Sequence, residues 1–113
     1  MNSFDDLLSG VYSSTCSDVS VLAREVRVQI GVLTKSVTVR IYYNPKRAEP
    51  YSFEMSELMK TPGRETREAS RTAPTENEAL RRALRLLSED YEDAVRRGQL
   101  PDETWLVPAE PVR

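Results

Sequence analysis

The stretch TENEALRRALRLLSEDYEDAVRRG, residues 75–98, decides the fold of this chain. Thr75 followed by Glu78 forms a capping box. The Thr hydroxyl accepts from the N3 backbone N–H, and the Glu reaches back to the cap. Pro74 stands just outside the start, Gly98 supplies a left-handed terminator, and Pro101 blocks continuation. The spacing predicts about 22 helical residues, or ~33 Å. Leu80, Ala83, Leu84, Leu87, Tyr91, Ala94 and Val95 fall on one stripe, which must be buried against another layer. Leu86 lies off that stripe and, with Ala79, widens the apolar side; it is a flank residue or a contact for a partner.

The same stretch carries five arginines. Glu78 with Arg82, Arg85 with Glu89, Glu92 with Arg96 and Asp93 with Arg97 are each four apart, so they meet on the helix surface. Acids begin the helix and Arg96 and Arg97 end it, as the helix dipole prefers. A helix built for nucleic acid would aim its arginines at phosphates. This one pairs most of them with its own acids, although Arg81, Arg82 and Arg85 leave a small patch near its start.

Residues 25–30, EVRVQI, alternate with Val26, Val28 and Ile30 on one side. Residues 37–43, VTVRIYY, do the same with Val37, Val39, Ile41 and Tyr43. Residues 51–55, YSFEM, place Tyr51, Phe53 and Met55 together. Gly31 to Lys35 is short enough for a hairpin, and NPKRAEP makes a polar turn. Three one-sided strands predict an antiparallel meander with one face packed and one face wet. The expected fold is therefore α+β: a three-stranded antiparallel meander covered by a long C-terminal helix, with a short N-terminal helix, in the order α-β-β-β-α.

The 113 residues make one domain, 1–113. Within 1–23, residues 3–9 predict the short helix, with Phe4, Leu7, Leu8 and Val11 as its apolar side. Residues 12–23 are polar and ambiguous, with Val19, Val21 and Leu22 leading into the first strand. Residues 56–74 lack periodicity and predict a long loop, mobile, functional or hiding a short strand. The tail, 99–113, is Pro-rich; its Trp105-Leu106-Val107 either docks as an extended segment or offers a linear motif to a partner.

Composition narrows the chemistry. There is no histidine, which removes the usual neutral-pH base and all imidazole ligands. The single cysteine, Cys16, excludes an internal disulfide and a one-chain structural zinc site, and suits a reducing compartment. The four glycines stand apart, so no phosphate cradle is present. The acids Glu89, Asp90, Glu92 and Asp93 sit among arginines and read as ion pairs rather than a metal site. No run approaches the ~20 apolar residues of a membrane span, and the acidic N-terminus is unlike a signal peptide. The expected protein is cytoplasmic, non-catalytic and without cofactor.

The net charge of −2 gives no global attraction for polyanions. The charge is uneven, however: Arg24, Arg27, Lys35, Arg40, Lys46 and Arg47 outnumber Glu25 and Glu49 in the strand region. Candidate nucleic-acid contacts are Arg27, Arg40 and Tyr42 on the wet sheet face, Lys46 and Arg47 in the turn, and Lys60, Arg64 and Arg67 in the long loop. Candidate contacts for a protein partner are Leu86, Trp105 and Leu106, with the sheet edges and the loop.

The order short helix, three strands, long helix resembles that of double-stranded-RNA-binding domains, whose last helix starts lysine-rich; here that start is TENEAL, residues 75–80. The run T-x-x-E-A-L-x-x-A, Thr75 to Ala83, looks like antitoxins of the HicB type, which implies a small RNA-cleaving toxin as partner. From the residues themselves, the expected function is that of an accessory or regulatory protein acting through protein–protein contact. The alternative is RNA or DNA binding through the basic sheet face and residues 60–71.

Overall fold

The structure, a computed structural model, describes residues 19–64 and 70–109. The expected N-terminal helix, Cys16 and Arg67 lie outside them. The described elements run β1 (Val21–Gln29), β2 (Ser36–Tyr43), β3 (Tyr51–Met55), β4 (Glu57–Met59), β5 (Thr72–Ala73), α1 (Glu76–Arg96), a 3-10 turn (Glu103–Trp105) and β6 (Leu106–Pro108). The α+β class holds, but the sheet is larger than a three-stranded meander. Four antiparallel strands lie in the order β1-β2-β3-β5, and β4 and β6 form a separate antiparallel pair.

Alternation builds the sheet. Val39 stands between Val26 and Met55, and Ile41 between Arg24 and Phe53. Val37, Val39, Ile41, Phe53 and Met55 are buried. A bulge between Leu22 and Arg24 resets the pleat, so Val21 and Arg24 share the inner face. Gly31, with φ of 52°, turns the chain from β1 toward β2. Leu33 is buried beneath that turn, and the backbone amide of Thr34 donates to Glu103 Oε2 at 2.8 Å.

The expected long loop at 56–74 contains β4 and β5. Two and three residues are too few for alternation to be visible, yet their backbone groups find ladder partners. β5 extends the sheet at the outer side of β3, with Ala73 opposite Tyr51. β4 pairs with β6, which brings the tail onto the body: Met59 lies opposite Leu106, and the Lys60 amide donates to the Trp105 carbonyl at 2.7 Å. The tail therefore docks as an extended segment, and its Trp105 and Leu106 are internal side chains.

α1 begins and ends as its sequence demands. Thr75 Oγ1 accepts from the Glu78 amide at 3.1 Å. At the other end the Gln99 amide reaches the Ala94 carbonyl at 3.0 Å over Gly98, whose φ is 87°. The buried face, however, is Ala79, Ala83, Leu87, Asp90 and Ala94. This face shares Ala83, Leu87 and Ala94 with the expected stripe but is rotated from the stripe's centre toward Ala79 and Asp90. Leu80 and Tyr91 only flank the core, and Val95 is 43% exposed. Alanine lets the helix axis approach the sheet closely, so the small residues take the centre and the larger ones spread to the sides. α1 packs over β2, β3, β4 and β5, leaving β1 outside its main footprint.

Leu87→Ala should lower unfolding free energy by about 3 kcal/mol, because it empties a closed site. Val95→Ala should change it by less than ~1 kcal/mol at an exposed position. Urea unfolding followed by Trp105 fluorescence measures both.

Candidate functional site

The outer sheet face holds three of the predicted contacts. Register aligns Glu25, Arg40 and Glu54 across β1, β2 and β3. Arg40 Nε donates to Glu25 Oε1 at 2.7 Å. Tyr42 Oη donates to Glu54 Oε1 at 2.8 Å. The hydrogen bond to Glu25, with its charge, raises the Arg40 pKa above the ordinary guanidinium value. Desolvation, then the bond to Glu54, raises the Tyr42 phenol. Arg27, opposite Thr38, is exposed on the same face. Two arginines and two glutamates thus balance, and a phosphate arriving here would compete with both carboxylates.

The remaining predicted cations lie elsewhere. Lys46 and Arg47 are exposed in the turn between β2 and β3, where the Lys46 amide donates to Asn44 Oδ1 at 3.1 Å. Lys60 and Arg64 lie at the other end of the molecule, beside the last turns of α1. There, with Gln99, Leu100 and Trp105, they line an open groove of about 680 Å³. Among the described residues, the predicted nucleic-acid contacts form no single surface.

Arg64 is held by the helix. Its Nη2 donates to Asp93 Oδ2 at 2.6 Å, and its Nη1 lies 3.6 Å from Asp90 Oδ1. Arg97 Nε also donates to Asp93, at 3.0 Å, and Arg96 lies 3.6 Å from it. Arg96 thus turns to Asp93 rather than to the expected Glu92. Desolvation pushes the Asp93 carboxyl upward, but Arg64 and Arg97 outweigh it, so the group titrates below the usual carboxylate range. Asp90, 6% exposed, is the buried partner that sequence reasoning missed. Its signal was its place in the series 79, 83, 87, 90, 94, which is the helix's innermost row.

The residues expected to contact a protein partner lie in the core or against it. Trp105 packs edge-on against Tyr91, with ring centroids 5.8 Å apart. Leu106 belongs to the same core, and Leu86 packs against it beside Met55, Leu58 and Met59. None of the three is a free anchor. Trp105 and Leu106 are inside because the 3-10 turn and β6 fold the tail across β4, whereas Leu86 is half-buried on α1.

The least covered part of the sheet is β1. Its nine residues pair with β2 on one side, and among the described residues nothing pairs on the other. Leu22 at the bulge is 50% exposed. An edge of this kind offers unpaired N–H and C=O groups. Arg24, Glu25 and Arg27 place charges along it.

No family model matches the chain, nor does any curated protein or solved structure. The resemblances noted above rest on element order and on residues 75–83. No helix among the described residues is long and apolar enough to cross a membrane.

Asp93 has a depressed folded-state pKa, so its contribution is full above the unfolded Asp value and fades as pH falls through the folded value. Wild-type stability should therefore decline as pH drops below about 4. Asp93→Asn should lose less over that window. Urea midpoints measured from pH 7 down to pH 2.5 test this; parallel slopes for the two chains would refute it.

Proposed function

We propose that this chain is a non-catalytic accessory or regulatory domain of the cytoplasm that binds a protein partner, and that the partner adds a strand at β1. The observation that carries the reading is the edge of β1, nine residues long and, among the described residues, paired on one side only. Strand addition draws affinity from main-chain hydrogen bonds and selectivity from alternate side chains. At β1 the selecting groups are Leu22, Glu25 and Arg27. An extended partner with an apolar residue near Leu22 and an acid near Arg27 suits this edge.

Two observations favour a protein over a nucleic acid. The outer face is balanced by Glu25 and Glu54, and of the other candidate cations Lys46 and Arg47 lie in the turn between β2 and β3 while Lys60 and Arg64 lie beside the last turns of α1. A polyanion needs contiguous cations to release its counterions.

Affinity capture from the source cell, with and without nuclease, tests the reading. A partner protein should persist after nuclease and in high salt, and Leu22→Asp should abolish its recovery while leaving the circular-dichroism spectrum unchanged. Recovery only of nuclease-sensitive material, or equal capture by Leu22→Asp, would overturn the proposal.

A further inference from the structure

The side chains of β1 divide between the two faces of the sheet. Val26 and Val28, opposite the fully buried Val39 and Val37, lie on the helix-bearing face. Glu25 and Arg27, opposite Arg40 and Thr38, lie on the outer face. Val26 and Val28 are only half-buried, because α1 packs over β2 to β5 and stops short of them. There Val28 and Ile30, with Leu84 and Tyr91, line a groove of about 300 Å³. On the outer face Glu25 is tied to Arg40 at 2.7 Å, whereas Arg27 meets no acid among the described residues.

These faces restrict how the edge can pair with itself. Residues directly opposite each other in an antiparallel pair share a face, so a slip of one residue sets an apolar side chain against a charged one. Of the registers that keep the faces matched, centres on Arg24, Glu25 or Arg27 bring two like charges together, which is destabilising. A centre on Val28 pairs only the end of the strand. A centre on Val26 sets Val26 against Val26 and, on either side of it, Glu25 against Arg27.

We propose that the strand added at β1 is β1 of a second copy of this chain, antiparallel and centred on Val26. The inference rests on the strand-addition reading and names its partner. The acid that suits Arg27 is then Glu25 of the second copy, and symmetry makes the same pair again on the other side of the axis. Glu25 keeps Arg40 on its own chain and gains Arg27 of the other, so the row Glu54-Arg40-Glu25 continues across the junction. On the helix-bearing face Val26 meets Val26, and Val28 lies beside the aliphatic stem of Arg24.

The seat of α1 leaves the approach clear, since its footprint excludes β1. The two-fold axis crosses the sheet at Val26, so both helices lie on one side of a continuous sheet that runs from β5 of one chain to β5 of the other. A long unpaired edge is otherwise a template for indiscriminate pairing. The sequence Glu25-Val26-Arg27 admits one self-register and penalises its neighbours, which is the property a specific dimer edge needs.

Light scattering of the purified full-length chain at about 100 μM should give the mass of a dimer. Arg27→Glu alone and Glu25→Arg alone each set like charges opposite one another at both symmetric positions. Each should raise the dimer Kd about tenfold with an unchanged circular-dichroism spectrum. An equimolar mixture of the two variants restores opposite charges at both positions and should recover the unsubstituted Kd as a mixed dimer. A monomeric unsubstituted chain at that concentration would overturn the self-pairing; capture of a different protein that is lost with Leu22→Asp would then leave strand addition at β1 standing. A dimer indifferent to Arg27→Glu, or two folded variants whose mixture shows no recovery, would overturn the proposal as well.

Discussion

The close seat of α1 on the sheet governs the rest of the molecule. Ala79, Ala83 and Ala94 are fully buried, and the strand side chains beneath include Val37, Val39 and Ile41, also fully buried. Methyl groups against branched side chains bring the two backbones near enough for Leu87 to fill the remaining space. A helix seated by alanines covers a narrow strip. It lies over β2 to β5 and stops short of β1. The open edge and the groove beside it both follow from this choice of small residues.

Much of the architecture was legible because the local rules agree. β2 and β3 alternate cleanly, and Thr75 and Gly98 mark both ends of α1. The inner face of α1 was legible in Ala83, Leu87 and Ala94, but its centre was placed too far toward Leu80 and Leu84 because leucines weigh more than alanines in a hydrophobicity reading. The alanine series, with Asp90 inside it, marks the nearer contact. β4, β5 and β6 were hidden for a different reason. Their existence depends on partners remote in sequence, and no short window contains both halves of a ladder. The same limit applied to the candidate contacts. That Arg40 meets Glu25 becomes visible only when the strand register is known, and that Arg64 meets Asp93 only when β4 is placed beside α1.

The arginines act chiefly as ties between elements. Arg82 Nη1 donates to the Thr72 carbonyl at 2.5 Å, fastening α1 to β5, and its Nε donates to Glu78 at 3.3 Å. Arg24 ties β1 to the start of α1, and Arg64 ties the chain after β4 to its last turns. Each exposed pair contributes little alone, within about 1 kcal/mol. Their placement matters more than their strength, since each spans a junction that apolar packing leaves open. A high charged fraction in a small domain is here compatible with few cations left to attract a polyanion.

The pairing of β6 with β4 also constrains how the chain assembles. Met59 and Leu106 are paired across a stretch of chain that contains β5 and the whole of α1. Closing so long a loop carries an entropic penalty that grows with its length. Insertion of Trp105 and Leu106 into the core offsets it. The tail thus works as a latch across helix and sheet: Trp105 backs Tyr91, which accepts from the Val32 amide, and Glu103 accepts from the Thr34 amide beyond the turn at Gly31.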